Sequence, residues 1–370
     1  MNHNEFLISK SAFAENGYIW MLTEQTEMLC CIDIQKREIK KCFIIPGKRT
    51  EEISDIIMKN TNESIFFSSC NDKRLFRFVK GKRTFVNIFE TISIEKKFKK
   101  GLHELIGAYD DCLVFFLKES ESIVFLDVNT GNYHEDYVIF QRLKENGAEI
   151  NGQIFSGGCF QEENKLYIPI NEQNFLLMFN ISEQSYNIYQ LSKDINYKLS
   201  TIDRDILNGD FLLTTKDNQA IIWNPDEGIK SVTKLKNSNE NNTYRDAFRI
   251  SGRNYFIPLY RRKIYTEMLG KVEEMEFDYP NVEDKFRENI YEQYRAIFKY
   301  EKYVYFQART NGQMYFIDTD NNMIQEYNVE ITHEEKANYI AESYRKRGKP
   351  EIYIEDYDFA LADYFRVVLE

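Results

Sequence analysis

Nine polar residues are the strongest candidates for binding chemistry: Lys73, Asn171, Asn174, Lys216, Asn218, Arg261, Arg262, Arg309 and Asn311. Each follows a strand-like apolar run at the place where a turn is expected, together with Glu24, Gln25, Asn71, Lys118 and Glu119. A guanidinium fork pairs bidentately with a carboxylate or phosphate, so Arg261, Arg262 and Arg309 would suit an anionic ligand. Lys96, Lys97, Lys99 and Lys100 would extend an anion-binding patch in a chain whose formal net charge is −11. The same residues also fit a plainer role, because tight turns are polar wherever their backbone is wet.

Catalytic patterns are scarce. His3, His103, His134 and His333 have no ligand spacing between them, so no metal site is expected. There is no GxSxG elbow, no GxxxxGK[ST] loop and no GxGxxG turn, so neither a nucleotide nor another cofactor is implied. Asp318-Thr319-Asp320-Asn321-Asn322 begins like a calcium loop but has no glycine at the sixth place and Val329 at the twelfth; a turn after a strand explains it better. Cys30, Cys31, Cys42, Cys70, Cys112 and Cys159 contain no CxxC pair and sit mostly in apolar runs, as buried free thiols do.

What would position the polar residues is a set of short strands. The chain is 15% aromatic, with 25 Tyr and 28 Phe against 6 Pro, a composition that favours pleated, half-buried strands. Five segments share an apolar run followed by Asp or Asn, at Asp33, Asp127, Asn180, Asn224 and Asp318. These anchors differ by 94, 53, 44 and 94, and 94 is twice 47, so two units are missing. Degenerate copies fill both gaps, at Leu75 to Gly81 and Ile264 to Gly270, giving seven units. A second strand signal lies about 11 to 15 residues before each anchor, as in Leu113-Val114-Phe115-Phe116. A period near 47 with four short strands per unit predicts an all-β protein, a single β-propeller of about seven four-stranded blades.

The pattern resembles the kelch-like and WD40-like propeller repeats over nearly the whole chain. It lacks the Gly-His and Trp-Asp pairs of the second class, and paired glycines occur only at Gly157-Gly158. The resemblance therefore implies the fold and carries no functional residue with it.

The expected organisation is a propeller over residues 1–330 and a C-terminal helical extension over 331–370 packing on it. Val282, Phe286 and Ile290 behind Pro280 predict one helical insertion, and a capping box at Thr332 predicts a helix ending before Gly348. Longer insertions follow the second and third units, at about Glu90 to Glu104 and Tyr133 to Gly152. They share a face with the turns between second and third strands, so binding is expected there.

The acidic balance speaks against nucleic acid. No export signal and no apolar run near the ~18 residues of a membrane span occur, so a cytoplasmic protein is expected. The abundance of Lys, Asn and Ile points to an AT-rich bacterial genome. The functional expectation is a non-catalytic scaffold for a protein or peptide partner. The alternative is a propeller hydrolase or lyase acting on an anionic small molecule or sugar derivative in the central mouth.

Overall fold

Each Asp or Asn that anchors the repeat ends a third strand and caps the turn after it. Asp33 Oδ1 accepts from the Gln35 and Lys36 amides at 3.1 and 2.9 Å, and Asp127 Oδ1 from Asn129 and Thr130 at 3.0 and 2.8 Å. Asn180, Asn224 and Asp318 do the same for Glu183, Asp226 and Asp320. These are Asx turns, in which the side chain replaces a backbone acceptor and lets the chain reverse. The donated amides hold the Asp33 and Asp127 carboxyls below the usual carboxylate range.

The computed structural model describes residues 9–23, 28–46, 56–69, 74–91, 104–117, 121–149, 158–205, 207–235, 244–280 and 291–330. They form seven four-stranded antiparallel sheets, each from four consecutive strands. The sheets span 9–44, 56–87, 104–136, 160–190, 199–234, 244–274 and 294–327, and are called blades 1 to 7. The fold is a seven-bladed β-propeller, and the degenerate copies at Leu75 and Ile264 fall on the third strands of blades 2 and 6.

Blades 2 to 6 fall in one compact unit and blades 1 and 7 in another. Within the larger unit, neighbouring sheets bury each other's faces. Val114, Phe116, Ile123 and Phe125 of blade 3 pack with Leu166, Ile168, Leu177 and Phe179 of blade 4. Tyr167 meets Phe211 at 4.6 Å and Tyr189 meets Trp223 edge-on at 5.2 Å between blades 4 and 5. Full burial of each such side chain contributes about 1.5–3 kcal/mol. Because both faces are covered, the middle strands are continuous apolar runs rather than alternating ones; Ser122–Asp127 is buried at every residue but its last.

First strands of successive blades pack together, Ile56–Asn60 on Glu104–Tyr109 and Leu199–Arg204 on Tyr244–Ile250. Gly107 lets the first strand of blade 3 approach the second strand of blade 4, since a Cβ there would lie 2.8 Å from Leu166 Cδ2. Several first strands are interrupted near their start, where Ser200 and Arg245 are extra residues against the second strand. Such bulges re-aim side chains at strand ends.

The expected helix behind Pro280 and the helix and docked tail beyond Thr332 lie outside the described residues. An unpredicted helix, Val138–Glu145, occupies the insertion after blade 3. Asp136 Oδ1 accepts from the Val138 and Ile139 amides at 2.7 and 3.3 Å, while Ile139, Phe140 and Leu143 turn one face into the core. Gly147, at φ 90°, ends it, and the Gly147 and Ala148 amides return to the Lys144 and Leu143 carbonyls. Cys30, Cys31, Cys42, Cys112 and Cys159 are free thiols.

Candidate functional site

The turn between the second and third strands of blade 4, residues 171–174, gathers its neighbours. Ile170 N donates to Phe175 O at 2.9 Å and Glu172 takes φ 59°, which turns the chain tightly. The Gln173 side chain then grips both backbone groups of Glu149 in the linker from blade 3: Oε1 accepts from Glu149 N at 2.8 Å and Nε2 donates to Glu149 O. Its backbone holds the start of blade 5, with Glu172 N donating to Leu199 O at 3.0 Å. Asn174 Nδ2 donates to Ser192 O in the linker to blade 5, and Asn174 O accepts from Leu191 N at 3.0 Å. The carboxyl of Glu172 pairs with Lys216 of the corresponding turn of blade 5, and that hydrogen bond holds it below the usual carboxylate range.

Two linkers are thus fastened to one turn, and each displays apolar side chains. Tyr137 and Val138 lead the helix capped by Asp136 and are 53% and 49% exposed. Ile195, 52% exposed, tops a turn in which Ser192 Oγ accepts from the Asp194 and Ile195 amides at 3.2 and 3.1 Å. Apolar groups held on hydrogen-bonded turns lose little freedom when a partner covers them.

The sequence-predicted residues distribute as follows. Asn171 and Asn174 share the blade 4 turn, and Lys216 and Asn218 the next one, where Asn218 O accepts from Leu235 N at 2.8 Å. Asn174 and Asn218 are buried, and no described group partners Asn174 Oδ1. Arg261 and Arg262 lie half-buried in the blade 6 turn. In the smaller unit, the Arg309 guanidinium lies 5.9 Å from the centre of the Tyr291 ring, and buried Asn311 accepts from Gln313 N at 3.0 Å. Lys73 and Lys96 to Lys100 lie outside the described residues. Sequence reasoning missed Gln173, Tyr137, Val138 and Ile195; Asp136 two places before Val138 and Ser192 three before Ile195 were the available cues.

A second polar concentration runs between first strands. Gln161 binds both backbone groups of Ala108, its Oε1 accepting from Ala108 N at 3.1 Å. Lys59 Nζ lies 3.2 Å from Cys159 Sγ, which points at Ile106 O, so blades 2, 3 and 4 meet in one chain of contacts. Gly158 lets this segment reach the blade 5 bulge, where a Cβ would lie 3.0 Å from Thr201 Cα. Between blades 5 and 6, Asp203 Oδ2 accepts from Arg249 N at 2.8 Å and Asp205 Oδ2 from Gly252 N at 3.0 Å. Desolvation pushes the nearby Asp246 carboxyl up to about 7, with Arg245 opposing and Asp203 reinforcing the shift.

No family model matches the chain, and no curated protein does. Solved structures do. The β-propeller domain of Cps50 (Swd1) from Myceliophteria thermophila aligns over 84% of this chain and 96% of its own, at 9% identity and TM-score 0.54. Kluyveromyces lactis Hsv2 covers 86% and 98% at 9% identity and TM-score 0.52. YCF48 bound to D1 peptide covers 82% and 90% at 8% identity and TM-score 0.53. At such identities the likeness is one of fold.

Proposed function

We propose that this propeller is a binding scaffold that takes a protein or peptide partner on the turn-and-linker face of blades 3 to 5. The observation that carries the reading is the fastening of two linkers to the Asn171–Asn174 turn, each displaying large apolar side chains. A folded chain usually turns such groups inward, and here hydrogen bonds hold them outward. Tyr137, Val138 and Ile195 supply the apolar contact, and Asn171, Lys216 and the Glu172 carboxylate supply a polar rim. YCF48, solved with a peptide, is a precedent for peptide recognition on a propeller of this kind. A cytoplasmic location fits the free thiols of the described cysteines, and no described helix is long and apolar enough to cross a membrane.

The test is affinity capture from native extract with the wild-type chain and a Tyr137→Ser/Ile195→Ser variant. Both changes are at exposed positions, so the variant should keep the wild-type unfolding midpoint. A stoichiometric partner taken by the wild type and released by the variant supports the face. Equal capture by both proteins removes it.

A further inference from the structure

In blade 1, Cys30 on the third strand, Met28–Asp33, stands directly opposite Cys42 on the outer strand, Glu38–Ile44. Their sulfurs are 3.1 Å apart. Directly opposed residues of an antiparallel pair have Cα atoms about 4.5–5.5 Å apart, inside the range a disulfide spans, and a bond of about 2.05 Å needs the sulfurs to close by only about 1 Å. Cys30 is fully buried, whereas Cys42 is half-buried on the outermost strand. One thiol is therefore reachable from solvent and the other is held against it.

We propose that Cys30 and Cys42 are a reversible redox site, oxidised to an intramolecular disulfide by a small peroxide. The half-buried Cys42 thiol attacks one peroxide oxygen, the O–O bond breaks, and water leaves as Cys42 becomes a sulfenic acid. The Cys30 sulfur then displaces the hydroxyl from Cys42; its thiol proton leaves with that hydroxyl as a second water. The two sulfurs together lose two electrons, which reduce the peroxide.

The consequence lies in the outer strand. Its pairing with the third strand is interrupted between Cys31 and Ile32, where Lys40 is left unmatched. Just beyond, it holds the end of the described chain: Ile39 N donates to Glu330 O at 3.1 Å and Glu330 N to Arg37 O at 2.7 Å. An edge strand with a gap in its ladder frays readily. A covalent tie at Cys42 fixes its register and with it the attachment of residue 330.

The experiment treats the full chain with graded hydrogen peroxide, then reads free-thiol titration, intact mass, non-reducing peptide mapping and amide hydrogen exchange. The expected result is the loss of two thiols and two hydrogens, a linked peptide pair containing Cys30 and Cys42, and slower exchange across Glu38–Ile44, all reversed by dithiothreitol. Cys42→Ser should yield no such link. The proposal is overturned if both thiols survive peroxide that oxidises free cysteine, if Cys42 advances to sulfinic acid with Cys30 unlinked, or if the link joins two chains or other cysteines.

Discussion

Blades 7 and 1 meet through rings and apolar side chains, whereas blades 5 and 6 add to their apolar contact a string of buried charges. At the first junction, Ile19, Met21, Met28 and Ile32 pack with Phe298, Tyr305, Phe316 and Tyr327. Within blade 7, Tyr305 stacks on Phe298 at 5.0 Å and takes the edge of Tyr327 at 5.5 Å, and Arg37 of blade 1 lies 5.3 Å from the centre of the Tyr327 ring. The few hydrogen bonds there join residues 283 to 298 apart, such as Gly17 N to the Tyr300 hydroxyl at 3.0 Å and Ser9 N to Gln307 Oε1 at 2.8 Å. At the second junction, Asp203 and Asp205 accept backbone amides of blade 6, and Arg249 lies 3.7 Å from Asp205 while donating to Asn254 at 2.7 Å.

Chain connectivity accounts for the difference. Blades 5 and 6 are consecutive, so bringing them together closes a short loop. Blades 1 and 7 are the two ends of the described fold, each sheet is built from its own consecutive strands, and the described backbone link between the two ends is a parallel bridge of Glu38 with Glu330. The entropy of closing so long a loop must be offset by these hydrogen bonds and by side-chain contact, and aromatic burial provides the most per residue. Where the chain already holds neighbours together, polar pairing can specify their register at little cost.

The sharpest way to break this comparison is Tyr305→Ala, which removes a ring from the apolar cluster that blade 7 shares with Ile19, Met21, Met28 and Ile32 of blade 1. A loss of about 3–5 kcal/mol is expected in urea unfolding, and proteolysis should cut blade 1 or 7 before blades 5 and 6. A smaller loss, or first cleavage between blades 5 and 6, would mean that the aromatic junction is not the one that closes the fold. Next in size is Asp205→Ala, which strips Gly252 N of its acceptor and Arg249 of a carboxylate 3.7 Å away, for about 2–4 kcal/mol. Asp205→Asn keeps an acceptor and should recover part of that loss. If the two substitutions cost the same, the charge rather than the amide contact holds the junction.

The contrast also marks what the sequence exposes. Strand pattern and period were legible because Asp33, Asp127, Asn180, Asn224 and Asp318 do the same local work, capping a turn with their own side chain. Blade 6 is degenerate because it turns by other means: Leu269 and Gly270 form a two-residue turn with both φ positive, at 53° and 81°, and need no Asx residue. Blade 2 makes the same backbone turn as blade 1, Arg83 N donating to Val79 O at 2.7 Å as Arg37 N does to Asp33 O at 2.8 Å, but has Val79 at the anchor place. The turn polarity at Asn171, Asn174, Lys216 and Asn218 was legible for the same local reason. The partners of those turns were not, because Gln173 reaches Glu149 and Asn174 reaches Ser192 only once separate blades have packed. The helix at Val138 was missed because its apolar face is just Ile139, Phe140 and Leu143, too short a run for helical periodicity to stand out.

The smallest expected effect is a titration that refines the polar side of the comparison. In the unfolded chain the Asp246 carboxyl loses its proton near pH 4, as an ordinary aspartate does at about 3.9. In the folded chain desolvation keeps it protonated up to about 7. Between those values the folded state carries the extra proton, so raising the pH favours unfolding; the contribution is full below about pH 4 and is lost as pH rises through 7. The residue is half-buried and Arg245 offsets part of the shift, so the change is on the order of 1 kcal/mol. Asp246→Asn should flatten this segment of a stability–pH curve while leaving the acid limb set by Asp33 and Asp127, whose depressed carboxyls lose their stabilisation as pH falls below about 4. If the curve keeps its slope between pH 5 and 7 in the variant, another group carries that titration.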